Sequence, residues 1–135
     1  MARALGLAIT AFDGDSITLG APLAPNVNDK GCAFGGSLAS LLTLAGWALI
    51  MLRLREADAD CDVYVQDSHV DYLVPIWGDF TARAEPAEGE SWDAFFASLA
   101  TRGKARLRVR AVVRTPEGAP ATTLEGRYVA LRCAH

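Results

Sequence analysis

From Gly31 to Leu52 the chain carries no charged side chain, and the run is bracketed by Lys30 and Arg53. Few environments accept so long an uncharged stretch. It satisfies the length criterion for crossing a bilayer, and it suits equally a helix buried on nearly every side within a domain. Two features favour the buried helix. Ser37, Ser40 and Thr43 recur along one side, and the run is followed by amphipathic strands that need an apolar body to cover. From about Phe34 to Glu56, Leu38, Leu41, Leu42, Ala45, Leu49 and Leu52 keep the three-and-four spacing of a helix. Such a helix is roughly 33 Å long.

The remaining segments read as strands. Ala8 to Phe12 and Ile17 to Leu23 flank Asp13-Gly14-Asp15, a tight-turn signal. Pro22 and Pro25 stop that pairing, and a loop rich in Asn, Asp and Gly leads into the helix. After the acidic break at Asp58 to Asp62, Val63, Val65, Val70 and Tyr72 mark a strand running to Pro75. Phe80, Ala82 and Ala84 alternate with polar residues, as in a half-buried strand. Trp92, Phe95, Phe96 and Leu99 suggest a short helical crossover. Ala105, Leu107, Val109 and Ala111 then alternate with Lys104, Arg106, Arg108 and Arg110, and a last strand spans about Thr122 to Arg132, with Gly126 expected to mark a bulge. Strands grouped after a helix, rather than alternating with helices, predict an antiparallel α+β fold in which the sheet curls around the central helix, one domain over residues 1–135.

Composition narrows the function. A net charge of -3 gives no general attraction to a phosphate backbone, which argues against nucleic acid as a partner. Cys32, Cys61 and Cys133 lack metal-ligand spacing and there are two histidines, so no metal site is expected. The thiols read as reduced and the N-terminus as no signal peptide, so the expected location is cytoplasmic and away from the membrane.

The stretch Asn26-Val27-Asn28-Asp29-Lys30-Gly31-Cys32-Ala33-Phe34-Gly35-Gly36-Ser37 delivers a Gly-Gly pair to the first turn of the buried helix. A helix start presents unpaired N–H groups and about half a positive charge, which polarise a carbonyl placed against them. Glycines allow that approach. The alternative is a tight, closely packed turn. Cys32 is a second candidate nucleophile at a helix start, with no histidine beside it in sequence to act as base.

With Leu44-Ala45-Gly46-Trp47 on the helix and Tyr72-Leu73-Val74-Pro75 at a strand end, this motif resembles the thioesterase-like domain of the YiiD C-terminal type, from about Leu19 to Val129. The resemblance implies a hotdog fold and hydrolysis of acyl-coenzyme A or acyl-carrier-protein thioesters, with coenzyme A entering as part of the substrate and no separate cofactor. It also implies a homodimer, with a tetramer as further assembly, and active sites at the dimer seam. Related enzymes place an acid in the loop or along the helix; here Asn28 and Thr43 occupy those positions, and Phe34 stands where a His often precedes the Gly-Gly pair. Asp29, the motif's carboxylate, is then the candidate general base. Asn28 holds the water or the carbonyl, Gly36 and Ser37 supply amides, and Phe34, Gly35 and Thr43 line the substrate; the alternatives are an Asx-turn or helix-start role for Asp29, loop structure for Asn28, and hydroxyls of Ser37 and Thr43 bonded back to the preceding turn.

Two clusters lie outside the motif. Asp67, His69 and Asp71 share one strand face, with Ser68 and Tyr72 on the other. An acid-flanked His69 suits a substrate-binding or acid/base group, and a hotdog dehydratase would need it; the alternative is a hydrated dimer edge. Arg102, Lys104, Arg106, Arg108, Arg110 and Arg114 form a basic stripe, in which Arg106 and Arg108 are candidates for coenzyme A phosphates or an acidic carrier protein. A solvated face that discourages edge pairing explains the same pattern. A non-catalytic acyl-carrier binding module is the alternative to hydrolysis.

Overall fold

The structure is a computed structural model that describes residues 8–21, 35–77 and 79–133. Strand β1 (Ala8–Phe12) turns into β2 (Ile17–Ala21). Asp13 closes the turn by accepting, on Oδ1, the backbone N–H groups of Asp15 and Ser16 at 3.0 and 2.7 Å. These bonds favour the ionised carboxyl and hold Asp13 below its ordinary pKa.

Helix α1 (Gly35–Glu56) contains the uncharged run. Leu38, Leu41, Leu42, Ala45, Leu49, Ile50 and Leu54 are buried, and the helix packs against the five strands β2, β3 (Cys61–Tyr72), β4 (Phe80–Pro86), β5 (Lys104–Arg114) and β6 (Pro120–Arg132). By length and composition α1 meets the test for a membrane span. Its buried leucines and isoleucine instead fill the core, each contributing roughly 1.5–3 kcal/mol. The helix ends where Asp58 adopts a positive φ of 55° and the N–H of Ala59 returns to Leu54 O at 2.9 Å. The short helix α2 (Trp92–Arg102), expected only as a crossover, is capped by Ser91 and by Gly103 at φ 72°. Arg53 joins three elements: its guanidinium lies 4.6 Å from the Trp92 ring centroid and donates to Gly14 O in the β1–β2 turn at 3.1 Å.

All strands pair antiparallel in the order β1-β2-β4-β5-β6-β3. Burial alternates strictly along β5, with Ala105, Leu107, Val109, Ala111 and Val113 facing α1. The strand after α1 ends at Tyr72 rather than Pro75, because the N–H groups of Leu73 and Val74 both turn to Ala121 O. The last strand begins two residues before Thr122, at Pro120. The bulge expected at Gly126 sits across the ladder, on β3, where Gln66 is the extra residue between Val65 and Asp67. Gly126 pairs with Ser68 just past it, and a Cβ there would lie 3.3 Å from Tyr128 and 3.4 Å from Asp67 O.

Helix and sheet are joined at Tyr128. Its side chain is fully buried, its hydroxyl donates to Thr43 O at 2.8 Å, and a Cβ on Gly46 would stand 2.4 Å from the phenol oxygen. Burial pushes the phenol pKa far above its usual range, so it remains a donor. Gly46→Ala is expected to destabilise the protein by about 3 kcal/mol, because the phenol has no room to move in a packed core. Tyr128→Phe, which removes one bond and no volume, should cost about 1 kcal/mol. Urea unfolding of the two variants checks both values and their order.

Candidate functional site

The chain turns at residues 57–60 and β3 runs back along α1. The 22 residues of α1 rise roughly 33 Å, whereas the 12 residues of β3 rise roughly 40 Å. The far ends of β3 and of its partner β6 therefore stand at the N-terminal end of α1, opposite the end where Cys61 pairs with Arg132. At the N-terminal end the helix opens on Gly35, Gly36 and Ser37, with no acidic side chain in its first turn to offset the positive end of its dipole.

Asn28, Asp29, Cys32 and Phe34 lie outside the described residues, as do the side chains of Gly35, Gly36 and Ser37 within α1. Thr43 is placed: its hydroxyl donates back to Ala39 O at 2.8 Å, and its carbonyl receives Tyr128. It stands beside the helix–sheet seam, and α1 carries no acid before Glu56. Cys61 is buried and Cys133 half-buried, and both are free thiols. Burial pushes the Cys61 thiol up, away from a reactive thiolate.

His69 lies on the face turned away from α1. Its β3 neighbours Ser68 and Val70 pair with Gly126 and Leu124, which face the helix, while His69 pairs with Glu125. The side chain is 77% exposed, with Nε2 3.0 Å from Asp71 Oδ1. Of the two flanking acids only Asp71 joins it; Asp67 pairs with Arg127. Thus the structure does not bring His69 to the start of α1.

Arg106 and Arg108 share that outer face. Arg106 Nε donates to Gln66 Oε1 at 3.1 Å. Arg108 is held at Glu90 Oε1 through both its Nε and its backbone N–H, at 3.3 and 2.8 Å, and at Glu88 O at 3.1 Å. Arg108 and Arg127 are direct cross-strand neighbours, and Glu90 and Asp67 offset that like-charge contact from either side. The next row of the sheet alternates Glu85, Arg110, Glu125 and His69. On the other side of the Arg108–Arg127 row, a groove of about 230 Å³ between α2 and β5 gathers Arg102, Lys104 and Arg106 with Glu90, Ser91 and Ser98.

Two features at the N-terminal end of α1 were not singled out from sequence. A hollow of about 600 Å³ lies between the segment after β3 and the β5–β6 turn, lined by Pro75, Ile76, Trp77, Phe80, Arg114 and Glu117. Thr122 is fully buried on the helix-facing side of β6, and its hydroxyl has no hydrogen-bond partner among the described residues. The signal available in the sequence was a hydroxyl at an inward position of an alternating strand.

An antiparallel six-stranded sheet laid around a buried helix is the hotdog fold. The family described as "Putative thioesterase (yiiD_Cterm)" matches residues 1–132, and the chain belongs to it. A crystal structure of a protein of unknown function from Chlorobaculum tepidum is similar over 98% of this chain and 86% of its own, at 32% identity and a TM-score of 0.90. A putative thioesterase from Shewanella oneidensis matches at 25% identity and a TM-score of 0.84, over 96% of this chain and 87% of its own. A thioesterase from Haemophilus influenzae shares the fold at 21% identity and a TM-score of 0.76, over 99% and 84% of the two chains.

The outer-face pairing has a measurable consequence. The Arg127 guanidinium, bonded to Asp67, holds that carboxyl below its usual range. A depressed folded pKa contributes stability above the unfolded value and loses it as pH falls through the folded one. An NMR titration should place the Asp67 midpoint below about 3.9 and return it there in Arg127→Gln. His69→Gln is expected to leave any thioester turnover within about twofold of wild type, since the imidazole stands on the far face from the helix start.

Proposed function

We propose that this protein hydrolyses acyl thioesters carried by coenzyme A or by an acyl carrier protein, as a homodimer in the cytoplasm. The observation that carries the reading is the start of α1: two glycines and a serine at the N-terminal end of a buried helix, with no acid in the first turn, in a chain of a thioesterase family. The amides of Gly35, Gly36 and Ser37 polarise the thioester carbonyl, and Asn28 and Asp29 hold the water, with Asp29 taking its proton. Phe34 and Thr43 border the acyl path. Attack gives a tetrahedral oxyanion that the amides stabilise, each such donor being worth roughly 3 kcal/mol in other acyl-transfer enzymes. Collapse expels the thiol, and coenzyme A takes part only as the leaving half of the substrate.

Two surfaces that the described residues leave uncovered support the dimer. Strand β3 is a 12-residue edge that leaves Tyr64, Val65 and Tyr72 exposed, whereas the opposite edge, β1, is 5 residues long and irregular. Long apolar edges invite a second strand. Alongside β3, Leu44, Trp47 and Met51 form a helical stripe left half-buried or exposed by the protein's own sheet. A second copy paired along β3 covers both surfaces. The basic groove of Arg102, Lys104 and Arg106 fits the phosphates of coenzyme A or an acidic carrier surface, with Arg108 beside it already matched by Glu90.

A second reading, a module that binds acyl carriers without turnover, is favoured by one observation: Thr43, at the helix position where relatives place an acid, spends its hydroxyl on Ala39 O. Free-thiol release from short, medium and long acyl-CoA, corrected for the protein's own cysteines, separates the two. Turnover with a chain-length optimum, reduced at least a hundredfold in Asp29→Asn, is the expected result. Tight binding without turnover would establish the module instead. Sedimentation at micromolar concentration should give a dimer, and a monomer there would overturn the assembly.

A further inference from the structure

The inward row of the sheet at the N-terminal end of α1 runs Ala82, Val113, Thr122, Tyr72 across β4, β5, β6 and β3. Ala82, Val113 and Thr122 are each 0% exposed. The first two are apolar and need nothing. Thr122 brings a hydroxyl into the same layer, and Oγ1 has no partner among the described residues. A buried hydroxyl without a hydrogen bond is a standing cost that valine, of the same shape, would not incur. Phe80, a lining residue of the 600 Å³ hollow, is the next inward position beyond Ala82 on β4. Thr122 lies one row further in than Phe80 and two strands across from it, is not itself among the residues that line the hollow, and follows Ala121, whose carbonyl receives the N–H groups of Leu73 and Val74.

We infer that Thr122 is a substrate-binding residue, its hydroxyl donating to a carbonyl oxygen of an acyl-pantetheine arm that enters at the helix start. This assignment rests on the hydrolase reading for its ligand class, and pantetheine is the chemistry that coenzyme A and acyl carrier proteins share. On this assignment the hydroxyl, which has no partner among the described residues, takes its acceptor from the ligand.

The test compares Thr122→Val, which removes the hydroxyl at constant shape, with Thr122→Ser, which keeps it. Three readouts are taken: thermal midpoint, kcat/KM with acyl-CoA, and calorimetric affinity for a non-hydrolysable acyl-CoA thioether and for S-octanoyl pantetheine. Thr122→Val should hold or raise the thermal midpoint while lowering kcat/KM and affinity about tenfold, the weight of one hydrogen bond. Thr122→Ser should stay within about threefold of wild type. An equal loss for the pantetheine probe places the bond on the shared arm, and a loss confined to the coenzyme A compounds overturns that placement. A lowered midpoint with unchanged kcat/KM and affinity would make Thr122 structural and overturn the inference, leaving hydrolysis intact. Wild type that binds the thioether but does not turn over, with the tenfold loss in Thr122→Val, would support Thr122 and remove the hydrolase. Neither turnover nor binding by wild type would overturn both.

Discussion

The phenol of Tyr128 sits against α1 at the one helix position with no side chain to obstruct it, Gly46, and bonds the carbonyl of Thr43 one turn back. Dispersion contacts between a leucine-rich helix and an alanine- and valine-rich sheet are non-directional, and they fix depth better than they fix sliding. A directed bond at a closely fitted notch fixes both. Because β6 lies between β5 and β3, placing it against the helix also places the strand that leads back to the helix start. The placing of Thr43 and of Thr122 against one another follows from that contact.

The outer face of the sheet obeys a separate logic. Five basic residues on β5 point outward, a charge density that would oppose folding if left alone. The neighbouring strands answer it with Glu85, Glu125 and Asp67, and Glu90 reaches across from the segment before α2. Among the described residues, Arg106 and Lys104 toward α2 and Arg114 at the other end of β5 face no acidic cross-strand partner. The sequence stripe looked uniform; the register sorts it into a neutralised part and an available part.

How much was legible in the sequence differs by element. The bounds of α1 and the inward and outward sides of β5 follow from periodicity alone, since burial imposes it directly. The opposed faces of Asp67, His69 and Asp71 against Ser68 and Tyr72 were legible for the same reason. The strand order was not, because pairing joins distant residues: an edge position for the His69 segment was one of the readings left open, and which of its two faces meets the helix was not legible. Thr43 was legible as two competing readings, a channel residue or a mid-helix hydroxyl bonded back to the preceding turn, and the bond to Ala39 O is the second. Thr122 was hidden because one hydroxyl in an alternating strand looks like an ordinary β-former.

The extra residue at Gln66 carries meaning beyond local geometry. Along β3 the inward positions are odd-numbered before it, at Cys61, Val63 and Val65, and even-numbered after it, at Ser68, Val70 and Tyr72. Without Gln66 the same inward residues would alternate unbroken with the outward ones, so the extra residue is an insertion into one continuous pattern. Its loss would leave every valine on the core side and remove only the local kink and added twist that a bulge imposes. Position 66 is therefore a place along β3 where the gene can lose a codon without turning the sheet over.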